Sequence, residues 1–213
     1  KRLDLSHNRI ESFGAKAIGQ SDKLVNLESL DLTDTGIGDD GLKSFAESFI
    51  GGKLDSFYLG GNNFTHEGIR IFSEVPNFSS ITSLNLEDNH LDDQGIELLS
   101  ESPNFSNLEE LRLRRNELTA DSAIALANST SMVNLKKLTI ENNDIRADGI
   151  KEFIKTDNVK NIEYLDVSEN QLGPEGVKAI ASSSRFSNLK QLILSNNGVL
   201  DAGAQAIASS KIL

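Results

Sequence analysis

One apolar position recurs every 27 residues from one end of the chain to the other, at Leu3, Leu30, Phe57, Leu84, Leu111, Leu138, Leu165 and Leu192. A second apolar series follows two positions later, at Leu5, Leu32, Leu59, Leu86, Leu113, Ile140, Val167 and Leu194. Residues two apart face the same side of a β-strand, so each repeat is predicted to place two strand side chains in a common core. A fixed period of this length is typical of stacked, solenoid-like units.

Asparagine follows the second apolar position by three residues in seven of the eight repeats: Asn8, Asn62, Asn89, Asn116, Asn143, Asn170 and Asn197. Thr35 is the one exception. The chain must leave each strand through a tight bend, and stacking buries the polar backbone groups of that bend. We therefore predict a ladder of side-chain amides that satisfies these groups, to which Thr35 contributes only in part.

The second half of each repeat has the pattern of a short helix. A glycine recurs in seven repeats, with Ser122 in the fifth, and apolar residues follow it three apart, as in Ile150 and Phe153. This spacing predicts a helix with one buried stripe, whose glycine lies where the helix packs closely on its neighbour. Acidic residues just before the glycines, such as Asp39, suit helix N-termini and are interpreted as capping groups. A connector with one more apolar residue follows, except at Gly51.

The segment LEELRLRRNEL at residues 108–118 resembles the signature of leucine-rich-repeat proteins, and the match extends over essentially the whole chain. Because each unit has room for a helix, the chain is similar to the ribonuclease-inhibitor-like class, which includes the activating protein of the Ran GTPase. The resemblance implies an α/β solenoid of about eight repeats, a horseshoe with a parallel concave β-sheet and convex helices. We expect residues 1–213 to form a single leucine-rich-repeat domain of a longer chain, since neither end shows a polar capping repeat.

In such a solenoid the non-core positions of the strands form columns of side chains on the concave face. One column lies between the two strand leucines, and two more, beginning at Ser6 and His7, follow the second leucine. We expect no structural rule to fix these positions, so they are the candidate partner-binding surface. The residues selected from the three columns are Asp31, Asp34, Tyr58, Asn85, Glu87, Asp88, Arg112, Arg114, Arg115, Glu141 and Asp166.

Two features of these columns are open to more than one interpretation. Tyr58, beside Gly60 and Gly61, is suited to be an aromatic anchor, with Tyr164 as a weaker second candidate, but it also fits an ordinary exposed strand tyrosine. The three arginines of the fifth repeat are either neutralised across the strands by Glu87, Asp88 and Glu141 or form a docking cluster for a carboxylate-bearing partner segment.

The charge of the chain restricts its partners. The net charge is −11, and it is uneven: residues 1–106 carry 18 acids and 8 bases, a net of −10, whereas residues 107–213 carry 14 acids and 13 bases, a net of −1. This balance argues against nucleic acid and favours a protein with a basic patch. We expect no membrane partner and no small-molecule substrate. With no cysteine and no secretory signal at the N-terminus, a cytoplasmic location is expected; the alternative is a translocated bacterial effector that acts in a host cytoplasm.

The sequence contains no recognisable set of catalytic residues, no phosphate-binding loop motif and no metal-ligand spacing. We therefore expect no enzymatic activity, no cofactor and no metal site. The expected function is protein binding along the concave face, with inhibition or regulation of an enzyme implied by the resemblance to ribonuclease inhibitor. The same resemblance leaves open a GTPase-activating protein similar to the Ran GTPase activator, and an architectural spacer is a third possibility.

Overall fold

The computed structural model describes residues 1–213, and a unit of strand, turn, helix and connector recurs eight times along it. Strands β1 to β8 are Arg2–Asp4, Ser29–Asp31, Ser56–Tyr58, Ser83–Asn85, Glu110–Arg112, Lys137–Thr139, Tyr164–Asp166 and Gln191–Ile193. Helices α1 to α8 are Glu11–Gly19, Gly38–Ser48, His66–Glu74, Asp92–Glu101, Ala120–Asn128, Arg146–Phe153, Gly173–Ser182 and Leu200–Ala208. Short 3-10 helices in four connectors are Pro76–Phe78, Pro103–Phe105, Asp157–Asn161 and Ser184–Phe186.

The eight strands form one open parallel sheet in sequence order. Each residue lies opposite the residue 27 positions later, as Leu111 does opposite Leu138. Backbone hydrogen bonding continues beyond the short strands, for example from Leu113 N to Thr139 O at 2.8 Å. Neighbouring strands are about 4.8 Å apart and packed helices about 8–10 Å apart, so the stack curves with its sheet on the inner side. The predicted α/β solenoid with a parallel sheet is confirmed.

The core lies between the sheet and the helices as one continuous cluster of 44 buried residues. In the second and third repeats it is aromatic: Phe45 stacks on Phe49, and Phe78 stacks on both Phe49 and Phe57. Phe49 also explains why Gly51 interrupts the connector column: a Cβ on that glycine would lie 2.6 Å from Phe49 Cζ. The phenyl ring, entering from two residues upstream, fills the place of the missing apolar side chain.

Close packing between neighbouring helices accounts for the glycine column, as expected. A Cβ on Gly149 would lie 2.8 Å from Ala120 Cα, and one on Gly41 would lie 3.2 Å from Ser12 Cα. A side chain at either position would push two helices apart. Ser122 fits in the fifth repeat because its hydroxyl donates a hydrogen bond to Asp93 of the preceding helix.

The capping interpretation of the acidic residues needs correction. Most of these residues lie in the first helical turn, and Asp39 and Asp93 bind the start of the next helix, not of their own. Asp93 accepts hydrogen bonds from Thr119 N at 2.9 Å, Thr119 Oγ1 at 2.6 Å and Ser122 N at 3.1 Å, and Asp39 makes the equivalent pair with Thr65. Burial alone would raise the pKa of Asp93, but the hydrogen bonds from Ser122 and Thr119 more than offset it, and its pKa is lowered.

The predicted asparagine ladder is present beneath the turns. Asn143 shows its full pattern: Oδ1 accepts from Asn116 N at 2.9 Å and Leu118 N at 3.1 Å, while Nδ2 donates to Leu113 O, Ile140 O and one further carbonyl. Thr35 performs part of this role, since its hydroxyl donates to Leu32 O at 2.5 Å. Asn116 Oδ1 is buried without a hydrogen-bond partner.

Candidate binding surface

The face of the sheet turned away from the helices carries three columns of strand-face side chains, at alternating positions. They lie immediately before, between and immediately after the two core residues of each strand. The first column was missed by the sequence analysis except at Tyr164, although the same period of two would have found it. Its members are Arg2, Ser29, Ser56, Ser83, Glu110, Lys137, Tyr164 and Gln191.

The column that begins at His7 is not a strand column, and our expectation that no structural rule fixes it is wrong. All eight of its residues have left-handed backbone conformations, with φ between 51° and 67°. The chain turns sharply there to leave the sheet, and this conformation favours glycine, asparagine and aspartate. Asp34, Asp88 and Arg115, which we selected as partner-binding residues, therefore lie in a turn column at the edge of the face.

The column between the two core residues also has a structural role where it carries Asp or Asn. At four positions the side-chain oxygen accepts a hydrogen bond from the backbone N two residues later: Asp4 to Ser6 at 3.1 Å, Asp31 to Thr33 at 3.0 Å, Asn85 to Glu87 at 2.8 Å and Asp166 to Ser168 at 3.0 Å. Contrary to the expectation of exposure, Asn85 and Asp166 are only 9% and 8% exposed.

The arginines of the fifth repeat all face a carboxylate. Arg114 Nε lies 3.4 Å from Glu141 Oε1, although it makes no well-oriented hydrogen bond, and Arg115 Nη1 lies 3.3 Å from Asp88 Oδ1. These two contacts are the cross-strand neutralisation that the sequence suggested. Arg112 differs, because its Nη2 lies 2.6 Å from Glu110, a residue of its own strand that we had not considered.

The pairing with Glu110 also determines the direction in which the pKa of Arg112 shifts. Burial acts to lower the pKa of Arg112, but the hydrogen bond and charge of Glu110, and then the charge of Glu87, outweigh it and raise the pKa. The guanidinium is thus held charged by carboxylates on two adjacent strands. It is an internal partner of the face and not a free cation.

Tyr58 lies half-buried on the third strand, with Gly60 and Gly61 just beyond it. The glycines have a packing reason of their own. A Cβ on Gly60 would lie 3.3 Å from Glu87 O, and one on Gly61 would collide with Asp34 Oδ1. The gap beside Tyr58 is therefore a consequence of close contact with the neighbouring strands, and it leaves the tyrosine as the largest side chain on this part of the face.

A depression that we call the concave groove crosses strands β4 to β7, with a volume of about 360 Å³. It brings together four of the selected residues, Glu87, Arg112, Glu141 and Asp166. It also contains four residues that were not selected: Glu110, Lys137, Thr139 and Tyr164. A second, wider groove runs along the turn edge past Asp88, Arg115 and Glu169, and no hydrophobic residue lines it.

The three histidines each contact a carboxylate of the next repeat: His7 with Asp34 at 3.1 Å, His66 with Asp92 at 2.9 Å and His90 with Glu117 at 2.7 Å. The three contacts join different pairs of repeats. No three metal-ligating side chains converge anywhere in the chain. None of its helices has the length and apolarity to cross a bilayer.

Comparison with known proteins agrees with this architecture. The family model described as "Leucine Rich repeat" matches residues 1–19, 23–46, 79–100, 106–127, 160–181 and 187–208, which together make up more than half of the chain. No match was found among curated proteins. Among solved structures, an internalin from Listeria monocytogenes str. 4b F2365 is similar, with 22% sequence identity and a TM-score of 0.52 over 88% of this chain.

The chain spans 54% of the length of that internalin, and at this identity the likeness concerns the fold. The chain itself has the repeat architecture: a 27-residue period, a parallel sheet in sequence order and a buried asparagine ladder. With the family model matched in six segments, the chain belongs to the leucine-rich repeat family.

Proposed function

We propose that this chain binds a protein partner with a basic surface, and that the partner lies along the strand face of the sheet. Leucine-rich repeat domains generally mediate protein–protein interaction and are typically non-enzymatic. The rigid parallel sheet offers three columns of side chains that differ from repeat to repeat, as a recognition surface must.

The observation that carries the proposal is the state of the charges on the strand face. Each of its basic side chains is paired: Arg2 with Asp4 at 3.8 Å, Arg112 and Lys137 with Glu110 at 2.6 and 3.7 Å, and Arg114 with Glu141 at 3.4 Å. Three carboxylates, Asp31, Glu87 and Asp166, form no ion pair, although the charge of Glu87 acts on Arg112. The uncompensated charge of the face is therefore negative, which steers and orients a basic partner.

The finer features of the proposal rest on the resemblance. Helices of 8 to 11 residues in every repeat support the ribonuclease-inhibitor-like class. By analogy, we propose that the bound partner is an enzyme that binding inhibits or regulates, in the cytoplasm or, for a translocated bacterial effector, in a host cytoplasm. The GTPase-activating alternative stays a prediction of the resemblance, and stimulated GTP hydrolysis by a candidate GTPase would be its test.

The test compares two charge reversals in the same repeat. Glu87→Lys changes the strand face, whereas Glu97→Lys changes the exposed side of α4. Proteins captured from the native cell by the immobilised parent chain are identified, and their affinities for each variant are measured. We expect Glu87→Lys to weaken binding about tenfold or more and Glu97→Lys to leave it unchanged, because only the first places a cation opposite the partner's basic patch.

Tyr58→Ala tests the same face away from the concave groove. Loss of a half-buried aromatic anchor is expected to cost about 2 kcal/mol of binding free energy. A captured protein that binds Glu87→Lys and Tyr58→Ala as tightly as the parent would show that the strand face is not its binding site.

A further inference from the structure

The concave groove has a floor and walls set by the register of three adjacent strands. Arg112, Thr139 and Asp166 lie side by side on β5, β6 and β7. The short threonine between two longer residues leaves a depression above it. Tyr164, from the first strand-face column, completes one wall. At about 360 Å³ the groove has room for one long side chain of a partner, at the small end of ligand-binding pockets.

Asp166 lines this groove and lacks a partner for its charge. The residue is 8% exposed, so more than nine-tenths of it is buried. Its Oδ1 accepts a hydrogen bond from Ser168 N at 3.0 Å, whereas Oδ2 accepts none and no cation pairs with the carboxylate. The unpaired Oδ2 is not fully enclosed, so a cationic ligand in the groove can reach it and supply the missing counter-charge.

The other charges of the groove do not compensate Asp166. Both cations in the lining, Arg112 and Lys137, contact Glu110, and Glu141 faces Arg114. Glu87 is hydrogen-bonded to Asn85 and has no ion pair. The lining holds four carboxylates and two cations, which leaves a net charge of −2.

Tyr164 adds an aromatic wall to this negative site. Burial, followed by the negative charge of Asp166, raises the pKa of the Tyr164 hydroxyl. The neutral phenol and the Asp166 carboxylate line the same groove. A lysine ammonium or arginine guanidinium is attracted both by an aromatic ring and by carboxylates.

We propose that the concave groove is an anchor pocket for a single basic side chain, lysine or arginine, that projects from the protein partner and pairs with Asp166. The inference rests on the proposed function and specifies its chemistry. It also distinguishes between the two interpretations of the arginines: because Arg112 and Arg114 already face carboxylates, the groove takes a cation and not a partner carboxylate.

The pocket can be tested without the partner. The probes are N-acetyl-arginine amide and N-acetyl-lysine amide, with the citrulline and norleucine amides as neutral controls of similar shape and N-acetyl-glutamate amide as the anionic control. Amide NMR shifts of Thr139, Tyr164 and Asp166 report binding. We expect saturable shifts with at least one basic probe, with a dissociation constant in the millimolar range, and binding about tenfold weaker or absent with the neutral and anionic probes.

A matched pair of variants assigns the effect to Asp166. Asp166→Asn removes the charge and keeps an acceptor for Ser168 N, while Asp31→Asn makes the same change in the same column outside the groove, where Asp31 accepts from Thr33 N. We expect Asp166→Asn to weaken binding of the basic probe about tenfold and Asp31→Asn to leave this binding unchanged. Thr139→Met, which fills the floor and keeps Asp166, is expected to abolish binding.

Three results would overturn the inference: no saturable shift with either basic probe, equal binding of a basic probe and its neutral counterpart, or equal weakening by Asp31→Asn. Preference for the glutamate probe would restore the carboxylate-docking interpretation instead. Dispersed amide spectra of the variants establish that they are folded. Because the capture experiment with Tyr58→Ala uses neither the probe nor the groove, the strand-face function can fail or stand independently of the pocket.

Discussion

The asparagine ladder and the strand face have the same 27-residue spacing but differ in what each position tolerates. In the ladder, one amide must accept from and donate to several buried backbone groups, as Asn143 does, so a single residue type fills nearly the whole column. On the strand face no single hydrogen-bonding role recurs in all eight repeats, and the equivalent positions hold residues as different as Tyr58 and Arg112. In the ladder, regularity thus comes from buried polar groups, whereas the strand face is left free to vary.

The turn column lies between these two extremes. Its backbone is left-handed in every repeat, yet its side chains include His7, Arg115 and Glu169. Here the fold fixes the conformation and leaves the chemistry open, at the cost of placing ordinary side chains in a region that favours glycine. The choice of residue is therefore most restricted in the buried ladder, less in the turn column and least on the strand face. The loss of stability on mutation should decrease in the same order.

The largest effect is expected for Asn143→Ala in the middle of the ladder. The substitution leaves Asn116 N, Leu118 N and the carbonyls that bind Nδ2 without partners in a buried site. We expect a loss of about 3 kcal/mol in the free energy of unfolding, measured by urea denaturation followed by circular dichroism.

Asn8→Ala is the matched control, since Asn8 has the same ladder position but is exposed. Its Nδ2 donates to Leu5 O and Ser6 O, where water can replace it. The expected loss is about 0.5–1 kcal/mol. Equal losses at Asn8 and Asn143 would show that burial does not set the strength of the ladder.

The next effect is expected at the helix glycines, through Gly149→Ala. The new Cβ would lie 2.8 Å from Ala120 Cα and 2.9 Å from Ile145 Cγ2, and the first of these belongs to a neighbouring helix backbone that cannot move alone. We expect a loss of about 2 kcal/mol by the same denaturation measurement. Gly52→Ala is the control, because nothing lies within 4 Å of its added Cβ, and a change of no more than about 0.5 kcal/mol is expected.

These two columns were fully predictable from the sequence, and the strand face was predictable only in part. Burial restricts each of these columns to one residue type with a single exception, Thr35 in the ladder and Ser122 among the glycines, and such a column is visible in the sequence. The left-handed turn column was missed, although five of its eight residues are aspartate, asparagine or glycine, the types that this conformation favours. The exceptions His7, Arg115 and Glu169 made it look like a freely varying column. The partnership of Arg112 with Glu110 could have been found from the strand period of two. The burial of Asp166 depends on how its neighbours pack and could not.

A smaller effect, dependent on pH, is expected for Asp93, which joins two helices. Its pKa is lowered in the folded chain by hydrogen bonds from Ser122 and Thr119, despite the opposing and largest single effect of burial. The stability that the ionised carboxylate contributes is therefore fully present above the ordinary value of 3.8 and is lost as the pH falls through the lowered pKa. Asp93→Asn should cost about 1–2 kcal/mol at neutral pH, and the cost should shrink at about pH 2.5.

The measurement is urea denaturation of parent and variant at both pH values. Asp40→Asn, in the first turn of α2 and exposed, is the control, and its small cost is expected to come only from the helix dipole, at about 0.3 kcal/mol. A cost for Asp93→Asn that stays constant between the two pH values would show that the ionised form is not what binds the next helix.

The smallest effect should separate the turn column from the strand face at two adjacent arginines. Arg115→Gly relieves a left-handed residue with φ of 51° and loses an exposed ion pair with Asp88, so the two changes nearly cancel and the stability should shift by less than about 0.5 kcal/mol. Arg114→Gly has no left-handed strain to relieve. Like Arg115→Gly, it adds conformational entropy to the unfolded chain and loses an ion pair, here with Glu141, and without strain relief we expect a loss of about 1 kcal/mol. Equal losses would mean that backbone conformation does not govern the turn column, and Asp34, Asp88 and Arg115 would then belong with the strand face as freely varying recognition positions.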